Sequence, residues 1–244
     1  MGSFGLSDYK EGNYVSKILL PGTHKCQILD LKLEPAPYDK NVFNLSFFLQ
    51  GEEQGEDFEG LQIDRNNPGR GNYKGQVGYV KSGQFPFKDW VYKGKNITKE
   101  DSIQTFLGGF LKQIGELEKF QAKGSSYDSL NDLVNAVKTH ICKPDFFVHF
   151  TIGAQKYYKD GSEYASYSLF LPKRAEGKYA YATTAENPTF MAFNETLHVQ
   201  EKKPAAGSTD ATVSEFAAAP ADDIFGNLAP AEEVFTSASD LDLP

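Results

Sequence analysis

Two cysteines, two methionines and one tryptophan are all that a chain of 244 residues holds of those three types. Cys26 and Cys142 cannot build a disulfide framework, and both read as buried thiols of a reducing cytoplasm. No apolar run approaches the roughly 20 residues of a membrane span, so no membrane association is expected. The opening Met1-Gly2-Ser3-Phe4-Gly5-Leu6 has neither the basic region nor the apolar region of a signal peptide. It also lacks the Ser or Thr at position 6 that a myristoylation signal needs. The four histidines, His24, His140, His149 and His198, are scattered, with no H-x-H or HExxH spacing for a metal. No Ser or Cys stands in a nucleophile-elbow context. The run Gly69 to Gly75 is glycine-rich but lacks the G-K-[ST] ending of a phosphate loop. These absences leave no catalytic group, no metal and no cofactor to propose, and a non-enzymatic binding protein is expected.

Charge is present but unevenly placed. Of the 33 acids, eight (Asp210, Glu215, Asp222, Asp223, Glu232, Glu233, Asp240 and Asp242) fall in residues 205–244, which contain no Lys or Arg. The other 25 acids balance the 25 basic residues of positions 1–204. The net charge of −8 is therefore the charge of the C-terminal stretch. One-sided charge with Ala, Ser, Thr and Pro and no periodicity reads as a partner-binding tail, disordered when free.

Residues 1–21 are polar and Gly-punctuated, an arm leading into a domain over 22–204. Thr23 to Leu33 reads as a strand whose apolar phase slips between Ile28 and Leu29, as a β-bulge requires. Val42 to Leu49 is a half-buried strand, with Phe43, Leu45, Phe47 and Leu49 on one face. A third strand is expected near Phe58–Ile63. Helical spacing follows within an insertion at about 98–143. Thr98 caps Ile103, Phe106, Leu107, Phe110, Leu111 and Ile114, while Ser126 or Asp128 caps Leu130, Leu133, Val134, Val137 and Ile141. Pro144 ends the second stripe. Strands return at Phe146–Ile152 and Tyr164–Leu171, linked through the turn signal Asp160-Gly161, with a last extended piece near Phe190–Val199. Three strands, helices and two strands make a mainly β fold with a helical insertion, an OB-fold-like five-stranded barrel.

The candidate site residues lie in Arg65 to Lys95, otherwise read as a long polar stretch. Seven cations there (Arg65, Arg70, Lys74, Lys81, Lys88, Lys93, Lys95) face one acid, Asp89. Tyr73, Tyr79, Phe85, Phe87, Trp90 and Tyr92 are interleaved, with Phe85 and Phe87 also readable as core. Cations neutralise phosphates, and aromatic faces stack on unpaired bases. A single strand exposes both partners together, whereas a duplex hides its base faces. Lys156, Tyr157, Tyr158 and Lys159 form a second patch between the last two barrel strands, where OB-folds carry a loop flanking the groove. Lys173, Arg174, Lys178, Tyr179 and Tyr181 follow it. In the tail, Asp222, Asp223, Ile224 and Phe225, then Asp240, Leu241, Asp242 and Leu243, place acids beside apolar anchors, a pattern suited to a basic-rimmed apolar pocket.

Barrel, basic–aromatic segment and acidic tail together resemble the single-stranded DNA-binding proteins of replication, above all the OB-fold versions encoded by bacteriophages. The entry Leu20-Pro21-Gly22-Thr23-His24-Lys25-Cys26 into the first strand is similar to phage proteins of that type. Bacterial members end in acids followed by Ile or Leu, Pro and Phe. Here Asp222-Asp223-Ile224-Phe225 is internal and lacks the Pro, and Asp240-Leu241-Asp242-Leu243-Pro244 lacks the final Phe. The resemblance implies sequence-independent binding and protection of single-stranded DNA in replication, recombination or repair, in the host cytoplasm for a phage protein. It further implies self-association as a homo-oligomer and a tail that recruits polymerase, helicase or primase. Two readings from other classes stand beside it. One is a virion structural or scaffolding β-barrel that binds protein; the other is a nuclease or nucleotide-binding enzyme with a diverged site.

Overall fold

Two long strands, β1 (Gly22–Ala36) and β2 (Asp39–Glu53), form an antiparallel hairpin that turns at Pro37-Tyr38. They belong to a computed structural model that describes residues 15–62, 71–124, 126–158 and 165–201. The tail 205–244, the turn Asp160-Gly161 and residues 1–14 of the arm lie outside the described residues. The register of β1 on β2 shifts between Ile28 and Asp30, which is the bulge that the apolar phase slip predicts. Past the bulge alternate apolar residues of both strands point inward. Ile28, Leu31, Leu45, Phe47 and Leu49 are all buried in one core.

The third barrel strand is not at Phe58–Ile63 but at β3 (Gly75–Lys81), inside the stretch read as a polar loop. Its glycines mislead a reading by propensity, because they serve close packing. A Cβ on Gly75 would stand 2.3 Å from the Gly51 carbonyl oxygen, and one on Gly78 would stand 3.2 Å from the Leu19 Cβ. Leu19 is itself buried, and its N–H donates to the Val77 carbonyl at 3.0 Å, so the end of the arm lies along β3.

A small hairpin follows, β4 (Trp90–Tyr92) with β5 (Lys95–Ile97), forming a two-stranded sheet of its own. Then come α1 (Lys99–Gln113), α2 (Leu117–Gln121) and α3 (Leu130–Ile141). Thr98 caps α1 in a capping box with Asp101. α3 is capped by Ser129, rather than by Ser126 or Asp128. The α1 stripe Ile103, Leu107, Phe110 and Leu111 is buried, and Phe110 packs 5.1 Å from the Phe47 ring and 4.9 Å from Tyr181. Burying one such side chain contributes about 1.5–3 kcal/mol, so this helix is bound to the barrel by its apolar face. A polar network joins the helices: Glu116 bonds His140 at 2.9 Å and Lys119 at 2.7 Å, and Lys123 Nζ lies 3.2 Å from His140 Nδ1.

Strands β6 (Phe147–Tyr158) and β7 (Ala165–Phe170) complete the barrel. The order is β1-β2-β3-β7-β6, closed by β6 pairing with β1, and β7 runs parallel to β3 while the other barrel pairs are antiparallel. The fold is mainly β, a closed five-stranded OB-fold-like barrel with helices between its third and fourth strands. β8 (Tyr181–Ala182) adds to β6. The predicted last extended piece is instead a short α4 (Glu195–His198) followed by β9 (Val199–Glu201), which pairs with β6 in parallel. Cys26 is buried and its thiol is pushed up to about 12, by burial first and Glu52 second; Cys142 is only half-buried. Among the described residues no helix is long and apolar enough to cross a membrane.

Candidate nucleic-acid interface

Since inward residues of β1, β2 and β3 fill the core, their alternate residues form the outer face. The pairing registers align these outward residues in rows across three strands. Lys32, Ser46 and Lys81 make one row, and Asp30, Phe48 and Tyr79 make the next. Adjacent strands lie about 4.8 Å apart and rise about 3.4 Å per residue. The two lysine stems are therefore roughly 10 Å apart, and the lysine row is about 7 Å from the aromatic row.

The centre of this face is a stacked pair. The Phe48 and Tyr79 rings lie 4.7 Å apart at 25°, and Tyr73 meets Phe48 edge-on at 5.7 Å and 83°. Phe48 is only 6% exposed beneath these neighbours, whereas Tyr79 is 48% exposed. Lys32 Nζ stands 5.4 Å from the Tyr79 ring centroid. Asp30, the acid of this row, is neutralised by an ion pair with Lys138 of α3 at 2.5 Å. The result is an anchored ring offered to solvent beside ammonium groups.

The residues singled out in the sequence separate into three places. Tyr73, Tyr79 and Lys81 belong to the outer face. Lys74 is at its end, ion-paired with Glu53 at 3.6 Å with both side chains exposed. Lys88 precedes the small hairpin, which carries Trp90, Tyr92 and Lys93. There Trp90 and Tyr92 are 5.6 Å apart, Lys93 Nζ is 5.3 Å from the Tyr92 ring, and Lys93 and Gly94 both have positive φ, as a tight hairpin turn requires. Asp89 holds this hairpin to α1 by accepting the Lys99 N–H at 2.8 Å. Phe87 packs partly against the core, while Phe85 is 53% exposed.

Lys156, Tyr157 and Tyr158 occupy the last residues of β6, opposite Tyr167, Ser166 and Ala165 of β7. Lys156 Nζ lies 5.5 Å from the Tyr158 ring and 3.4 Å from Glu201. Its ammonium is held above the usual lysine range, by the bond to Tyr158 first and by Glu201 after it. Arg65, Arg70, Lys159 and every named tail residue lie outside the described residues.

The chain matches no family model, no curated protein and no solved structure. The chemistry the chain displays is that of the outer face of β1, β2 and β3.

Two members of that face escaped the sequence reading, Phe48 and Lys32. The signal for Phe48 was there: Phe47 and Phe48 are adjacent in a strand, so one of them must point away from the core. Lys32 gives no such signal, since its place beside Tyr79 depends on the pairing of three strands. Among the described residues no three His, Cys, Asp or Glu side chains gather as metal ligands would.

Proposed function

We propose that this barrel binds single-stranded DNA with little sequence preference, laying the strand across the outer face of β1, β2 and β3. The observation that carries the reading is Tyr79, half-exposed and stacked on buried Phe48, with Lys32 and Lys81 one row away. A base stacks on such a ring whatever its identity, because every base has a π-face, and lysines beside it neutralise the phosphates. A duplex presents phosphates but no open base face, so the ring favours single strands. Lys156, Tyr158 and Tyr167 on the β6–β7 hairpin extend the same chemistry at the opposite rim of the barrel.

On this reading the protein protects single-stranded DNA in replication, recombination or repair of phage-type DNA. The acidic stretch 205–244 recruits polymerase, helicase or primase through Asp222, Asp223, Ile224 and Phe225 and through Asp240, Leu241, Asp242 and Leu243. The test is a competition titration of the full chain on labelled oligo-dT against unlabelled single-stranded DNA of mixed sequence, duplex DNA and single-stranded RNA. Mixed-sequence single strands should compete as well as oligo-dT, and duplex should compete far less. Absence of binding to oligo-dT at low salt would leave the protein-binding alternative in its place.

A further inference from the structure

Beyond β7 the chain forms a second tight hairpin that the proposed face does not include. Ala175 and Lys178 exchange two backbone hydrogen bonds, at 3.2 and 2.8 Å, around Glu176 and Gly177, which have φ of 52° and 77°. Positive φ at both turn positions is the geometry of a two-residue hairpin, and it places Arg174 and Tyr179 side by side on its two limbs. The Arg174 guanidinium carbon lies 4.7 Å from the Tyr179 ring centroid.

Tyr179 is fixed from behind. Its N–H donates to the Thr189 carbonyl at 2.8 Å, its carbonyl accepts from the Met191 N–H at 2.9 Å, and its ring lies 5.9 Å from Tyr181 in the core. Arg174 is exposed, as are Lys173 and Lys178, and the acid in this stretch is Glu176 at the turn itself. A guanidinium laid on a fixed aromatic ring keeps the N–H donors at its edge, ordered and free of rotamer search. That fork matches the spacing of phosphate oxygens.

The hairpin also starts beside the proposed face. β1, β3 and β7 all end at one rim of the barrel, because β2 is antiparallel to both β1 and β3 and β7 is parallel to β3. The Leu171 N–H donates to the Lys81 carbonyl at 2.8 Å. Arg174 follows three residues later, at most about 10 Å of extended chain.

We infer that Arg174, held on Tyr179, is a phosphate clamp that grips the sugar–phosphate backbone of the single strand where it leaves the face past Lys81. The inference rests on the proposed single-strand binding and adds to it a site on another element of the fold. Lys173 and Lys178 raise the positive potential around the clamp; the fork of Arg174 supplies its geometry.

The experiment compares the full chain with Arg174→Ala and Arg174→Lys on a long oligo-dT across a salt series. Arg174→Ala should weaken binding roughly ten-fold at low salt, as loss of a charged hydrogen bond does. It should also make the log–log salt slope shallower by about 0.7, the value for one phosphate released from a single strand. Arg174→Lys should restore the slope but only part of the affinity. An unchanged slope in Arg174→Ala, or full affinity in Arg174→Lys, overturns the clamp while leaving the Tyr79 face standing. If the unmodified chain fails to bind oligo-dT at all, it is the underlying functional reading that falls.

Discussion

Phe48 lies directly beneath Tyr79, on the neighbouring strand and in register with it, with the two rings 4.7 Å apart. The relationship divides labour between two aromatic residues. Phe48 is buried and fixes the position of the platform, and Tyr79 is the part that a ligand meets. Removing the exposed ring should cost binding without cost to the fold. Stacking contributes about 1–3 kcal/mol per base, so Tyr79→Ala should weaken oligo-dT binding by roughly 5- to 150-fold with its melting temperature nearly unchanged. Phe48→Ala should lower both, since it leaves a cavity under the platform. Paired melting curves and binding isotherms separate the two roles, and equal binding by Tyr79→Ala and the parent would remove Tyr79 from the interface.

Lys32 and Lys81 flank Ser46 in one row, and both are expected to sit on phosphates. Replacing both with Ala should make the salt slope for oligo-dT shallower by about 1.4, twice the single-strand value per phosphate. Lys74 is already paired with Glu53, so Lys74→Ala should move the slope less than either single lysine of the row. A salt series on the parent and these four variants decides this.

His140 should make the helical insertion sensitive to acid. Burial lowers its pKa first, and Lys143 and Lys123 lower it further, against the opposing pull of Glu116. Its folded pKa thus lies below the unfolded value of 6.5, so the unfolded chain binds the proton more readily. Stability is then full above pH 6.5 and is lost as pH falls through the folded pKa. Its partner Glu116 is shifted downward as well: burial raises its pKa, but the bonds and charges of Lys119 and His140 outweigh that and hold it below the usual carboxylate range. His24 and His198 are shifted downward too and add to the same loss. His140→Gln keeps a donor for Glu116 but cannot titrate. Its melting temperature should fall less between pH 7 and pH 5.5 than that of the parent, and an identical drop in both would acquit His140.

Two glycines should respond in opposite directions to a methyl group. Gly75→Ala drives a Cβ into the backbone of Gly51 and Glu52, at 2.3 and 2.7 Å, and should destabilise the barrel strongly. Gly109 in α1 has open space around its would-be Cβ. Gly109→Ala should stabilise by roughly 0.5–1 kcal/mol through helix propensity. Differential scanning calorimetry of the two variants provides the check.

Much of the barrel was legible because its strands alternate cleanly. Phe43 to Leu49 and Phe146 to Ile152 bury one face, and the helix stripes recur every three or four residues. The bulge after Ile28 showed in the same pattern. β3 did not, because Gly75 and Gly78 look like loop residues until the backbones that crowd them are known, and its one exposed ring breaks the apolar pattern. The site shared that fate. Arg65 to Lys95 reads as one basic–aromatic segment, yet folding sends Tyr79 and Lys81 to the barrel face and Trp90, Tyr92 and Lys93 to a separate hairpin. Contiguity in sequence suggested a single patch; strand pairing assembled a different one, with Phe48 and Lys32 drawn from other strands.

A photo-cross-linking map shows most directly whether Tyr79 meets the bases of a bound strand. Oligo-dT carrying 5-iodouracil, bound to the full chain and irradiated, reports by mass spectrometry which aromatic residues touch bases. Adducts should concentrate on Tyr79, with Tyr73 as a minor site, and vanish in excess unlabelled single strand. Saturating binding with adducts confined to other residues, and none in the peptide that carries Tyr79, would contradict the account.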